Sequence, residues 1–161
     1  MPQPYLLPSQ TEKMLKMAYH LNTGMVAYMA VGLFAGVRPM EIERLHSSDI
    51  KPAHIEIKAN KAKTRRRRLV TISDNLQEWL SLGSEFAPKN KRKRISRILE
   101  AAGLSWSPDI MRHSFASYHL AEHKSDEKIA IEMGHRDTKM LFEHYRELVT
   151  KEDAKRYWKI R

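Results

Sequence analysis

Apolar residues recur at helical spacing along most of this chain and alternate with polar ones in one short stretch. PQPYLLPS, near the start, carries three prolines and reads as an extended arm or linker over residues 1–8. Ser9 or Thr11 then caps a helix running to about His20, and a second, more apolar helix runs from about Thr23 to Ala35. Gly36 ends it, and Pro39 opens a short helix to His46 at the first-turn position that suits proline. HIEIKA and RRLVTIS have strand composition with partial alternation, and NKAKTR between them reads as the turn of a hairpin. Further helices are predicted over about 74–83, 90–102, 109–123, 126–133, 138–148 and 151–159. Ser107-Pro108-Asp109 supplies a cap, a first-turn proline and an early acid, and Gly134 suits a left-handed helix end. Thr150 with Asp153 approximates a capping box. The expectation is a mainly helical α+β fold with one small antiparallel sheet. It divides into an arm, one domain over 9–149, and a C-terminal helix or tail over 150–161.

Length and composition narrow the class. A chain of 161 residues suits one domain with a proper core. Its 42% apolar and 30% charged content are ordinary for a soluble globular protein. No window is apolar enough for a membrane span, and the N-terminus has no signal-peptide pattern. The absence of cysteine excludes disulfides and thiolate metal sites and fits a reducing cytoplasm. The net charge of +10 points to a polyanionic partner, nucleic acid first. That charge gathers in KANKAKTRRRR (58–68) and PKNKRKRISR (88–97), whereas the region after Ser125 is near balance. Uneven charge favours a binding face over general solubilisation.

A phosphodiester under attack gains negative charge on its non-bridging oxygens, which fixed cations can hold. Arginine suits this because its planar fork makes two parallel hydrogen bonds and keeps its proton. Arg38 and Arg112, from distant segments, form the candidate clamp. Arg112 falls in the first turn of its helix, where the free N–H groups already favour an anion. Glu41, one turn after Arg38, either orients it or makes a simple helical ion pair. Tyr145 is the candidate nucleophile; its phenol, with an ordinary pKa of about 10, needs cations or a base nearby. The same residue shares a helical face with Met140, Leu141 and Leu148, which is also the pattern of plain core. His135 follows Gly134 in a turn, placed to donate a hydrogen bond. Lys63, in the hairpin turn, is the candidate general acid, with Lys61 as the alternative.

Taken in order, these segments resemble the catalytic half of a tyrosine recombinase of the phage-integrase type. The correspondence reads Gly36-Val37-Arg38-Pro39-Met40-Glu41, then Lys63, then Asp109-Ile110-Met111-Arg112-His113, then Gly134-His135, then Tyr145, within about residues 9–149. The resemblance implies a recombinase catalytic domain, with the hairpin at one edge of a helical bundle. It implies that Tyr145 forms a 3′-phosphotyrosyl bond with DNA and releases a 5′ hydroxyl, and that a second strand's 5′ hydroxyl then resolves the linkage. No metal or other cofactor is implied. The partners would be double-stranded DNA and three further copies of the chain, a homo-tetramer on two sites with a monomer possible without DNA, in the cytoplasm and, in a prokaryote, at the nucleoid. Lys61, Arg65, Arg66, Arg67 and Arg68, with Lys91, Arg92, Lys93 and Arg94, would contact the DNA backbone, giving affinity that falls with salt.

Three departures from the family pattern stand out. Asp109 occupies the slot usually held by histidine; it could act as a base, although its charge opposes a phosphate. The spacing from His135 to Tyr145 is ten residues, one more than expected. The family's N-terminal DNA-binding domain has no counterpart in this sequence, which suggests a fragment of a longer protein. Rival readings are a non-catalytic DNA-binding module of the same fold, a type IB topoisomerase, and a zinc peptidase. The last rests on His119-Leu120-Ala121-Glu122-His123, two histidines four apart on a helix. Trp158 and Ile160, in the last residues, either dock on a neighbouring subunit or pack on their own domain.

Overall fold

All ten residues of one helix, Val26–Ala35, are buried. A helix that is apolar on every side must sit at the centre of its domain, and the rest of the fold is arranged around it. The computed structural model describes residues 5–107, 109–123 and 149–161. The helices expected over 126–133 and 138–148 lie outside them. In chain order the described elements are α1 (Pro8–Leu21), α2 (Val26–Ala35), α3 (Pro39–Glu43), β1 (His54–Ile57), β2 (Arg68–Thr71), α4 (Asp74–Leu80), α5 (Lys91–Ala102), α6 (Ile110–His123) and α7 (Lys151–Tyr157). Short 3-10 turns cover Thr23–Met25 and Ser47–Asp49. Helices α1, α3, α4 and α6 all pack against α2. The fold is mainly helical α+β.

Several boundaries differ from the expected ones. Neither Ser9 nor Thr11 caps α1. Pro8, with its fixed φ, is the first helical residue, and Leu7 is the cap, its N–H donating to Gln10 Oε1 at 2.8 Å. Leu6 belongs to the core and is tied to α6 from both sides. Its N–H donates to Ser114 Oγ at 2.9 Å and its carbonyl accepts from the Tyr118 hydroxyl at 2.7 Å. The second helix begins as a 3-10 turn at Thr23 and becomes α-helical at Val26. Helix α6 starts at Ile110, one residue later than expected. Asp109 precedes it in the left-handed region, at φ 60°, and its carbonyl accepts the His113 N–H at 2.9 Å. Gly36 ends α2 as expected, at φ 65°. A Cβ there would overlap the Phe115 ring, so both backbone and packing require glycine.

The hairpin is antiparallel, pairing Ile55 with Val70 and Ile57 with Arg68. Along β2, Arg68 and Val70 are buried while Leu69 and Thr71 are exposed. Period-two alternation therefore turns Arg68 inward on the same face as Val70.

At the other end of the chain, α7 packs on α6 and α1. Thr150 caps it, its Oγ1 accepting from the Asp153 N–H at 3.1 Å. Tyr157 is fully buried, stacked on Tyr118 at 4.0 Å between ring centroids, and its hydroxyl donates to the Leu33 carbonyl of α2. Trp79 Nε1 donates to the Ile160 carbonyl at 3.0 Å, and Trp158 Nε1 to the Tyr118 carbonyl at 3.3 Å. Trp158 and Ile160 thus contact their own domain in this chain.

Candidate active site

The site is built where the end of α2 meets the start of α6. Left-handed Gly36 turns its carbonyl toward α6, and Arg112 Nε donates to it at 3.0 Å. Arg38 follows two residues later at the N-cap of α3, with Pro39 opening that helix. One backbone turn thus carries one arginine and holds the other. Arg112 is largely buried. That burial, together with the nearby charges of Arg38 and Arg68, pushes its pKa down to about 10, still charged at neutral pH. Arg38 is also lowered, chiefly by burial and partly by Arg68. Crowded, partly desolvated guanidinium groups gain stability when an anion joins them.

Glu41 is the carboxylate at the centre of this arrangement. Its side chain is fully buried, and Arg68 holds it with two hydrogen bonds, Nη1 to Oε2 at 2.9 Å and Nη2 to Oε1 at 2.6 Å. The Arg38 N–H donates to Oε1 at 3.3 Å, and the Arg38 guanidinium lies 3.8 Å from Oε2. The Lys63 N–H donates to Oε2 at 2.9 Å. Burial alone would raise the Glu41 pKa. The hydrogen bonds and charge of Arg68, with Lys63 N–H and Arg38, outweigh it and hold the carboxyl below its usual range. Glu41 is therefore more than a helical ion pair, because it fastens the hairpin loop to the turn that carries Arg38.

This geometry separates the two lysines. Lys61 Nζ is held by buried Asp49 at 2.7 Å, and Lys58 Nζ lies 3.2 Å from the other oxygen of the same carboxylate. Burial opposes ionisation of Asp49, but Lys61, the His46 N–H and Lys58 bring its pKa down to about 2. The Lys63 side chain is exposed, while its backbone is tethered to Glu41.

The basic segments also divide. Arg65, Arg66 and Arg67 are exposed on the loop, with Arg67 Nε bonded to Glu56 Oε2 at 2.6 Å. Arg68 corrects the expectation of a surface contact: the strand alternation turns it inward, and its guanidinium is occupied by Glu41. On α5, Arg92 and Lys93 are exposed. Lys91 Nζ bonds Glu43 at 2.6 Å and sits 5.0 Å from the centroid of the Tyr28 ring. Arg94 bonds the Lys89 carbonyl and the Asn22 side chain. Both are half-buried and serve the fold more than the surface.

Asp109 is exposed at the mouth of the site, and its charge acts on both Arg38 and Arg112. His135 and Tyr145 lie outside the described residues. The zinc-peptidase reading finds no support: His119 is buried 5.0 Å from the Phe115 ring, and among the described residues no three His, Cys, Asp or Glu side chains gather into a possible metal site. Among the described residues no helix is long and apolar enough to cross a membrane. The role of Arg68 was missed in the sequence, although its position two residues before Val70 in a strand was a usable signal.

No curated protein matches the sequence. Solved structures of similar fold include XerA recombinase, with TM-score 0.74 and 20% identity over 97% of this chain and 64% of that one. The catalytic domain of bacteriophage HP1 integrase has TM-score 0.70 and 20% identity over 87% of this chain and 85% of that one. A lambda integrase (75–356) dimer bound to a core site has TM-score 0.66 and 16% identity over 90% of this chain and 60% of that one. The chain thus spans less than two thirds of the length of XerA and of that lambda integrase. Residues 4–152 match the phage integrase family, and the chain belongs to it.

Proposed function

We propose that this chain carries the catalytic machinery of a tyrosine-type site-specific DNA recombinase. The observation that carries the reading is the meeting of Arg38 and Arg112 at the Gly36 turn, with the Lys63 loop fastened to the same turn through Glu41. Family membership and the DNA-bound lambda integrase and XerH structures of similar fold support it. In the proposed reaction, Arg38 and Arg112 hold the non-bridging oxygens and His135 donates a further hydrogen bond. Asp109 takes the phenol proton as the Tyr145 oxygen bonds to phosphorus. The bond from phosphorus to the 5′ oxygen breaks, and Lys63 gives that oxygen its proton. Lys61, held by Asp49, is assigned to the structure of the loop. Arg65, Arg66, Arg67, Arg92 and Lys93 are the assigned backbone contacts. Duplex DNA and further copies of the chain, up to a tetramer, are the assigned partners, at the nucleoid of a cytoplasm.

The test is a suicide duplex nicked beside candidate sites from the flanks of the gene, incubated with the protein in chelator. A covalent protein–DNA band that survives denaturation and vanishes in Tyr145→Phe is the expected result. DNA binding without any such band would favour the second reading, a non-catalytic binding module. The specific observation on that side is the acidic Asp109 at the mouth of the site.

A further inference from the structure

Next to the candidate site lies a recess of about 340 Å³ that shares Asp109 and Arg112 with it and extends past them to side chains the phosphate chemistry does not use. Its floor is apolar, formed by Ile95 and Leu99 of α5, Met111 of α6 and the Tyr28 ring, and half-buried Trp106 forms one wall. Arg112 and exposed Arg92 line it too. An apolar slot with an aromatic wall and guanidinium groups beside it matches a flat aromatic ring attached to a phosphate.

We infer that this recess receives one nucleobase, swung out of the DNA stack next to the phosphate held by Arg112, with Trp106 as its stacking platform. The inference rests on the DNA reading above and adds to it a base-binding site. Arg112 fixes the phosphate, and the neighbouring nucleotide lies within one nucleotide's reach of the recess. Extrusion of a paired base costs free energy, least when the base is already unpaired. A stacked aromatic partner returns part of that cost and tolerates any base. Trp106 thus makes the site sensitive to how easily the DNA opens at that position, a form of selectivity without base-edge contacts.

The experiment compares three duplexes: fully paired, carrying one unpaired 2-aminopurine, and carrying an abasic residue at the same position. Affinity is measured at fixed low salt together with 2-aminopurine fluorescence. The expected result is roughly tenfold tighter binding of the 2-aminopurine duplex than of the other two, with quenched fluorescence, in keeping with one stacked base. Trp106→Phe keeps most of the preference, whereas Trp106→Ala abolishes it. Ser96→Trp is the second variant; it fills the recess from an exposed position on α5 and also removes the preference without loss of fold. Equal preference in Ser96→Trp and the unaltered protein, or equal binding of the abasic and 2-aminopurine duplexes, would overturn the inference while leaving the DNA reading intact. Failure to bind any of the three duplexes would sink both.

Discussion

At the scale of single residues, two buried carboxylates organise the functional loop. Glu41 joins Arg68, Arg38 and the Lys63 backbone, and Asp49 gathers Lys58 and Lys61. Removing one partner of a buried ion pair strands the other, so Arg68→Met should destabilise the fold by about 3 kcal/mol, measured by urea unfolding. Glu41 and Asp49 both have carboxyls held below the usual range, so each contributes stability that is fully present above the unfolded pKa and lost as pH falls. For Asp49 that loss runs from about pH 4 down to about 2. Asp49→Asn should therefore lower stability by about 1 kcal/mol at pH 7 and flatten the acid side of the stability curve in that window. An unchanged slope between pH 4 and 2 would remove Asp49 from this role.

At the scale of elements, Gly36 is the joint between α2 and α6. Gly36→Ala would put a side chain at φ 65° and press it into Phe115. The expected loss is about 3 kcal/mol by thermal or urea melting, combining left-handed strain with overpacking. The helices and the hairpin were legible because their signals are local: ten successive near-uniformly apolar residues, a proline at a first turn, a glycine at a helix end. What was not legible depended on partners far away in sequence. Arg68 looks like one more cation in a run until the register of β2 turns it toward a carboxylate 27 residues earlier. Asp109 looks like a first-turn acid, but the backbone bends left-handed there and delays the helix. Leu6 looks like part of a loose arm until Ser114 and Tyr118, over a hundred residues away, hold it. In the candidate site, residue order along the chain names Arg38 and Arg112 together, and the Gly36 turn brings them near each other. The order leaves Lys61 beside Lys63 as candidates, because both are basic residues of one loop; what residue order could not show is that Asp49 holds the Lys61 side chain while that of Lys63 is exposed.

At the scale of the molecule, the cations behind the +10 charge divide into exposed and buried ones. Exposed Arg65 and Arg66 are available to phosphates, whereas Arg68 is sequestered. Each phosphate contact contributes about −0.9 to the slope of log affinity against log salt. The double variant Arg65→Ala with Arg66→Ala should make that slope shallower by about 2, read from binding isotherms between low and moderate salt. Arg68→Met, under conditions where it stays folded, should leave the slope unchanged; an equal change in both would contradict the division of the run into surface and interior.

The tether between Arg112 and Gly36 has an evolutionary corollary. Its acceptor is a peptide oxygen, which every amino acid possesses, so replacement at position 36 cannot delete that oxygen and can only redirect it. Replacement at this junction is thus filtered by backbone shape and by packing against Phe115, and not by loss of the acceptor that anchors the second arginine.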